Sequence, residues 1–450
     1  MNSCDTLAVF KTLAEDGENI LAKNSDRPLG EPQPLCYYEG TDDKFAVLGS
    51  RPYWMDGFEM GANEKGLFIG NEAEGSRMPA ETEEGMLGMM MLRIALEKAA
   101  TAREAIDVIA GLLREHGQNA NAHPTLDRRY ENSFILVDRD EIWLMETAGR
   151  EWAAKRFEDF AAVSNCYQIC DDFDLCSENL EAVIKEKRWL RPGEKLNFAK
   201  AVTKGADRQR NSVPRMRRLK MLATEYTKDN EKLNTDKLKY IFRDHFEGEI
   251  NSPRFGACYG GFVSICMHAL TTEIDSCQTA ASMFMTYDSD LGLKFMYAPS
   301  IPCASIYIPI YWVRPGKRDM EIPVCMSLGG EKYDPSSLWW TMERLNLLLS
   351  MDEERFGLAV RESLHKMELS IEDQRINAEK EARELIKSGN TSGAAKRLNE
   401  LTAGAAETML QTCQLLTAVL EMEIKKSGGL YGPRKEFMET YMERVSMPLL

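Results

Sequence analysis

The chemistry that this chain could perform begins at Cys4, which stands next to Asp5 and ahead of an apolar segment. A cysteine near a chain start is an unusual choice for packing, because chain ends are commonly poorly ordered. If Met1–Ser3 is removed, Cys4 carries a thiol and a free α-amine on one residue. An α-amine titrates near pH ~7.7–8.0, so it can serve as general base for the thiol without any histidine. The alternative is a cysteine that stands there by chance.

A second candidate group lies in residues 22–28, which contain Lys23 and Asp26. Two strand-like segments flank Asp16–Gly17, a dipeptide that favours a β-hairpin. The hairpin returns the end of its second strand to the side of Cys4, within reach of both charged side chains. A cation near a thiol favours the thiolate, and a carboxylate can orient an amine and hold its proton. The alternative interpretation is a pair of loop charges at a strand end.

Two asparagines follow predicted strands and could stabilise negative charge. Asn71 ends the strand-like run 67–70, and Asn165 ends the run 160–164. Main-chain N–H groups at the first strand end and a side-chain amide at the second could donate to a developing oxyanion. Each asparagine alone is more typical of a turn.

Composition narrows the class of protein. The formal net charge of −15 argues against a nucleic-acid partner. The eleven cysteines are scattered and odd in number, which favours reduced thiols and a cytoplasmic setting. No run is long enough to predict a membrane span. A metal site at Cys166, Cys170 and Cys176 is disfavoured, because no histidine is near and the spacing is not CxxC.

The remaining patterns predict the elements that must position these groups. Residues 84–100 and 101–115 have helical spacing, with Thr101 as N-cap. Residues 177–246 are mostly helical, and strands resume at 261–267. From Ser336 on, the pattern predicts helices that form an αα-hairpin, interrupted at Ser388–Gly393, for core or subunit contact. Two β blocks separated by helices indicate layered α+β packing rather than alternating βαβ units.

Several motifs in one order resemble a known family. The matching runs are Ser3–Thr6, Ala22–Pro28, Gly61–Glu64, Ile69–Ala73, Asn132–Phe134, Met145–Gly149, Trp152–Ala154 and Val163–Asn165. They resemble the cysteine-dependent N-terminal-nucleophile (Ntn) hydrolases that include the secernins and the bacterial dipeptidase A enzymes. Order and spacing are most similar to secernins. The resemblance is strong over residues 3 to about 170, weaker over 200–330 and general beyond.

The resemblance implies an αββα four-layer sandwich of two antiparallel sheets with a C-terminal helical extension. We expect a catalytic domain at 1–333, of which residues 1–3 are a short propeptide, and a helical segment at 334–450 packed on it. It also implies that Cys4 is the nucleophile and that Asp26 bonds its amine.

Further roles follow from the same resemblance. Lys23 stands where the wider choloylglycine-hydrolase relatives carry an arginine, so the cation is kept but the planar fork is lost. The main chain of Asn71 and the side chain of Asn165 would form the oxyanion hole. An arginine downstream is expected beside the cysteine, with Arg215 preferred and Arg218 second.

The implied function is hydrolysis of amide bonds in short peptides, as in a dipeptidase, by a cysteine that autocatalytic processing uncovers. The substrate would be a small peptide or acyl amide. The alternatives are an acyltransferase on the same scaffold and a secernin-like protein that acts through protein partners. The sequence predicts no cofactor, no metal, no nucleic acid and no membrane, and it leaves a homo-oligomer open.

Overall fold

Two antiparallel sheets form the centre of the molecule. The computed structural model describes residues 3–79, 84–205, 211–249, 263–269, 276–314, 319–429 and 433–450. The strands are β1 (Ser3–Val9), β2 (Ile20–Pro28), β3 (Leu35–Tyr38), β4 (Val47–Ser50), β5 (Met60–Asn63), β6 (Phe68–Glu74), β7 (Glu131–Val137), β8 (Ile142–Ala148), β9 (Glu151–Phe157), β10 (Phe160–Ser164), β11 (Leu175–Cys176), β12 (Cys277–Asp288), β13 (Gly292–Pro299) and β14 (Ile308–Trp312). One sheet has six strands in the order β10-β1-β2-β12-β13-β14, and the other has eight in the order β11-β9-β8-β7-β6-β5-β4-β3.

Helices cover the outer faces of both sheets and fill the C-terminal third of the chain. They are α1 (Gly88–Lys98), α2 (Ala102–His116), α3 (Leu180–Glu186), α4 (Phe198–Val202), α5 (Ser212–Tyr226), α6 (Thr235–Phe242), α7 (Val324–Ser327), α8 (Leu338–Met351), α9 (Glu353–Lys387), α10 (Thr391–Lys426) and α11 (Pro433–Arg444).

The alternation of side chains along each strand produces four layers. On one face of β1, Leu7 shares an apolar cluster with Leu219 of α5. On the other face, Ala8 shares a cluster with Phe68 of the eight-stranded sheet. β1 is therefore buried on both sides, by α5 and by the eight-stranded sheet. The outer face of the eight-stranded sheet packs against α1 and α2. The expected αββα four-layer sandwich of two antiparallel sheets is confirmed.

Two local predictions are wrong. The helix expected from residue 84 begins at Gly88, because segment 84–87 runs beside the end of α2, where the Met86 N–H donates to the Gly117 carbonyl at 3.2 Å. The strand expected at 261–267 is absent from 263–267, and residues 261–262 lie outside the described ranges. There the Ile265 carbonyl accepts from the Asn24 side chain at 2.9 Å instead of from a neighbouring strand.

The C-terminal helices pack directly on the sandwich. Helices α9 and α10 form the predicted αα-hairpin, with Asn390 capping α10. Helix α10 contacts β14 through a 2.7 Å hydrogen bond from Thr402 Oγ1 to the Pro309 carbonyl, and α8 through Cys413 and Met342. The domain division at residue 333 stays a prediction. Over the described ranges, none of the helices combines the length and apolarity that a membrane-crossing segment needs.

Gly49 of β4 offers a test of the close packing between this sheet and the chain that follows it. A Cβ at Gly49 would lie 2.4 Å from the Phe58 ring, which is fully buried. We expect Gly49→Ala to lower the free energy of unfolding by about 1–3 kcal/mol, because the ring has no room to move. Urea denaturation measures the change.

The matched control is Gly111→Ala in α2, where a Cβ would meet nothing within 4 Å. It should raise stability by up to about 1 kcal/mol through helix propensity. Equal effects of the two substitutions would contradict the assigned packing.

Candidate active site

The pairing of β1 with β2 determines which side chains surround Cys4. Cys4 lies opposite Ser25, and Thr6 lies opposite Lys23. Directly opposed residues in an antiparallel pair share a face, so Cys4 and Lys23 both face the eight-stranded sheet. Gly70 of that sheet gives Lys23 room, since a Cβ there would lie 3.1 Å from the Lys23 side chain.

A buried charged cluster lies beneath Cys4. The Lys23 ammonium is fully buried, 3.7 Å from Glu72 and 3.9 Å from Glu59. Burial acts to lower the pKa of Lys23, but Cys4, Glu72 and Glu59 together raise it above the ordinary value. Lys23 therefore remains a cation. Within the described part of the chain, its nitrogen has no oxygen acceptor at hydrogen-bonding distance.

The charges of this cluster shift the pKa of the Cys4 thiol in opposite directions. Cys4 is only 4% exposed, and burial raises the pKa of its thiol well above the usual value. Lys23 opposes that effect, whereas Glu72 and Glu59 add to it. Burial also raises the pKa of Glu72 to about 7, although Lys23 and a hydrogen bond from Thr6 favour its ionised form.

Arg215 reaches the main chain of Cys4 from the helical layer. Its guanidinium donates to the Cys4 carbonyl at 3.1 Å and pairs with the Asp5 carboxylate at 2.6 Å. It also donates to Asn165 Oδ1 at 3.0 Å. Arg218, the second candidate, pairs with Asp244 at 2.7 Å instead. The structure thus brings Arg215, and not Arg218, to Cys4.

Asn165 contacts the nitrogen of Cys4. Asn165 Oδ1 accepts from the Cys4 N–H at 2.8 Å, and Asn165 Nδ2 donates to the Ala73 carbonyl at 2.9 Å. The predicted oxyanion donor is therefore engaged with a protein carbonyl, and its oxygen holds the peptide nitrogen that would become the α-amine.

Asp26 of β2 lies near the Ser3 end of the Ser3–Cys4 bond. It faces Ser3 across the strand pair, and its Oδ1 accepts from Thr279 Oγ1 at 2.7 Å. Its Oδ2 is buried and has no hydrogen-bond partner among the described residues. Burial and the nearby Asp5 raise the pKa of Asp26 well above its ordinary value.

Asn71 stands on the facing sheet, next to the charged cluster. Its main-chain N–H donates to the Glu59 carbonyl at 3.3 Å, a long hydrogen bond. Its side-chain amide lies 3.2 Å from that of Asn132.

Sequence reasoning missed Asp5, Glu59 and Thr279. Asp5 directly follows Cys4 in a run that was singled out, so its role could have been found. Glu59 and Thr279 carry no local signal. Packing of one sheet on the other brings Glu59 to Lys23, and pairing of β12 with β2 brings Thr279 to Asp26.

The raised pKa of Glu72 makes stability depend on pH. Its carboxyl has a pKa near 4.5 in the unfolded chain and about 7 when folded, so the folded state binds the extra proton in that interval. The stabilisation that this group contributes is fully present below pH 4.5 and is lost as the pH rises through 7. We expect Glu72→Gln to reduce the loss of unfolding free energy between pH 4.5 and 8 by about 3 kcal/mol. Urea titrations at both pH values measure it.

Glu400→Gln is the control, since Glu400 is exposed on α10. It should leave the pH dependence of the native protein unchanged. A Glu72→Gln curve that parallels the native one would contradict the assignment.

Part of the chain matches a known protein family. Residues 43–255 match the family described as Peptidase family C69. A Dipeptidase of Bifidobacterium longum (strain NCC 2705) is 27% identical over 238 residues, which cover 41% of this chain and 43% of that protein. Probable dipeptidase A of Streptococcus pyogenes serotype M3 (strain SSI-1) is 22% identical over 315 residues, covering 56% and 63%. The chain thus spans about half the length of the curated relatives it matches.

Two solved structures are also similar. A conjugated bile acid hydrolase from Clostridium perfringens has a TM-score of 0.40 and 13% identity, covering 65% of this chain and 88% of its own. The Caenorhabditis elegans ortholog of N-acylethanolamine-hydrolyzing acid amidase has a TM-score of 0.34 and 10% identity, covering 63% and 92%. The family match and the two dipeptidase relatives show that residues 43–255 of this chain are similar to Peptidase family C69.

Proposed function

We propose that this protein is a cysteine Ntn hydrolase that cleaves amide bonds of short peptides through Cys4, after the Ser3–Cys4 bond has been cut. The observation that carries the proposal is the set of groups around that bond. Asn165 and Arg215 hold the nitrogen and carbonyl of Cys4. Asp26 lies opposite Ser3 and offers a carboxylate oxygen that has no hydrogen-bond partner among the described residues. The names of the two relatives support a dipeptide-like substrate.

Maturation uses the Cys4 thiol first. The sulfur attacks the Ser3 carbonyl carbon, the thiol proton passes to the nitrogen of Cys4, and the C–N bond breaks so that this nitrogen leaves as a free amine. Water then hydrolyses the resulting thioester and releases the segment that ends at Ser3. The new amine remains where the peptide nitrogen is now, 2.8 Å from Asn165 Oδ1.

Turnover repeats the same steps on a substrate. The α-amine of Cys4 takes the thiol proton, and the thiolate attacks the substrate carbonyl carbon. The protonated amine passes its proton to the leaving nitrogen as the C–N bond breaks. Water, deprotonated by the amine, then hydrolyses the acyl thioester. Asp26 holds the amine in position for both proton transfers.

Negative charge on the thiolate and on the tetrahedral oxyanion must be stabilised by hydrogen-bond donors or by a cation. Asn71 and Asn165 stay the predicted oxyanion donors, although both N–H groups now donate to protein carbonyls, of Glu59 and Ala73. Lys23 is better placed than these two donors to stabilise the thiolate, because its buried ammonium has no oxygen acceptor of its own among the described residues. We assign Lys23 the stabilisation of the thiolate.

Intact-mass analysis tests the maturation step. The active protein should begin at Cys4, whereas Cys4→Ala should keep Ser3 and hydrolyse no dipeptide in a library screen. Cys170→Ser is the matched control, because Cys170 is an exposed thiol; it should mature and turn over normally. Active protein that still carries Ser3 would overturn the proposal.

Lys23 has a separate test. We expect Lys23→Met to lower kcat/KM about 10²–10³-fold, the usual cost of one electrostatic stabiliser. It should also move the pH profile of Cys4 alkylation by iodoacetamide to higher pH, because Lys23 lowers the pKa of that thiol. Circular dichroism checks the fold.

Lys23→Arg keeps the cation and should restore most of the alkylation profile. Lys11→Met, at a partly exposed position, should change neither readout. An unshifted profile in folded Lys23→Met would contradict the role of Lys23.

A further inference from the structure

Four metal-binding side chains converge on the helical side of the six-stranded sheet. They are His245, Cys266, His268 and Cys303, and one ligand atom from each lies within 4.8 Å of all the others. We propose that these residues bind a zinc ion that fixes the segment around Cys266 against the sheet. The inference does not depend on the proposed hydrolase activity.

The spacing of the ligand atoms agrees with a tetrahedral site. Zn–N bonds of about 2.0–2.1 Å and Zn–S bonds of about 2.3 Å place ligand atoms roughly 3.3–3.8 Å apart at the corners of a tetrahedron. The two imidazole Nε2 atoms are 3.1 Å apart. His268 Nε2 lies 3.2 Å from Cys303 Sγ and 3.8 Å from Cys266 Sγ. Only small adjustments separate these distances from a bound geometry.

The orientation of His245 is that of a ligand. Its Nδ1 lies 3.0 Å from the Glu247 carboxylate, which fixes the ring proton on that nitrogen. The lone pair of Nε2 then faces His268 and the two sulfurs. A carboxylate bonded to the far nitrogen is the usual second shell of a zinc-binding histidine.

Three separate parts of the chain supply the ligands. His245 follows the end of α6, Cys266 and His268 lie in segment 263–269, and Cys303 belongs to the short 3₁₀ turn Pro302–Ala304. Segment 263–269 has no helix or strand of its own. His245 and Cys266 are buried, so their polar atoms need partners inside the protein. A metal could bind one ligand atom from each of the four residues at once.

The donor set selects the ion and its role. Two thiolates and two imidazoles suit zinc, whereas magnesium and calcium prefer oxygen ligands. Four protein ligands close the coordination sphere, which is typical of a structural site rather than a catalytic one.

The segment that zinc would fix contacts Asp26 through one residue. Thr279 Oγ1 accepts from the Met267 N–H at 3.0 Å and donates to Asp26 at 2.7 Å. On the same segment, the Ile265 carbonyl accepts from Asn24 of β2. Zinc would therefore hold the hydrogen bonds that position Asp26.

Metal content of the full-length protein gives the first test. The protein, expressed with zinc present, should contain one zinc per chain by inductively coupled plasma mass spectrometry. Cys266→Ser and Cys303→Ser should lose it, and removal by a chelator under reducing conditions should lower Tm. The matched control Cys170→Ser should keep it, because Cys170 is exposed and is not one of the four clustered residues.

Cobalt substitution identifies the ligands without any assay of activity. Co²⁺ added to the metal-free protein should give visible absorption of a tetrahedral site and thiolate-to-metal bands in the near ultraviolet. Glu247→Gln should weaken zinc binding about 10–100-fold in competition with a chromophoric chelator, as expected of a second-shell partner. Glu249→Gln, an exposed carboxylate two residues along, should not.

Three results would overturn the proposal. They are zinc-free protein that takes up neither zinc nor cobalt, variants that bind zinc as the native chain does, and a Cys266–Cys303 disulfide that forms in place of the site. The disulfide would show as a mass 2 Da lower that reduction restores.

Discussion

The antiparallel pairing of β1 with β2 is the constraint on which the rest of the site depends. It sends Cys4, Thr6 and Lys23 toward the facing sheet, while Asp5 and Asp26 face the helical layer. Shifting a strand by one residue would exchange the two faces, and would place Lys23 among apolar side chains of α5 and α6. The register therefore separates the Cys4 thiol and the Lys23 ammonium from the carboxylates that lie beside the main chain of Cys4.

That separation places ionisable groups in buried positions, where desolvation and the surrounding charges decide their protonation. Burial raises the pKa of Asp5 to about 6 even with Arg215 in contact, and that of Glu72 to about 7 with Lys23 nearby. A buried ion is costly unless it is paired. Lys23 and Arg215 therefore each lie beside at least one carboxylate. The raised pKa values of Asp5 and Glu72 favour the neutral form of these buried carboxyl groups.

Sequence reasoning predicted the elements that depend on local pattern. The β1–β2 hairpin and the Thr101 N-cap follow from turn chemistry and capping, and both are present. The mostly apolar composition of segment 263–267 predicts a strand, yet the segment is a loop whose Ile265 carbonyl accepts a hydrogen bond from the Asn24 side chain. Local composition cannot reveal which partner takes a backbone hydrogen bond.

Contacts between distant parts of the chain were beyond that reasoning. The sequence left two candidate arginines, and the structure places Arg215 against the Cys4 carbonyl while Arg218 pairs with Asp244. His245 and His268 lack any metal-like spacing, because their neighbours in space come from three separate segments.

The Ser3–Cys4 bond lies inside the folded molecule, with Ser3 only 3% exposed and with partners drawn from positions 165 and 215. An external protease needs an extended, accessible segment in its cleft, and this peptide offers none once those partners have assembled. Any scission there in the native state must be unimolecular. The half-time of the scission would not change when the protein is diluted. A molecule that begins at Cys4 would therefore be one that had folded, whereas a molecule that still carries Ser3 would not have completed this step.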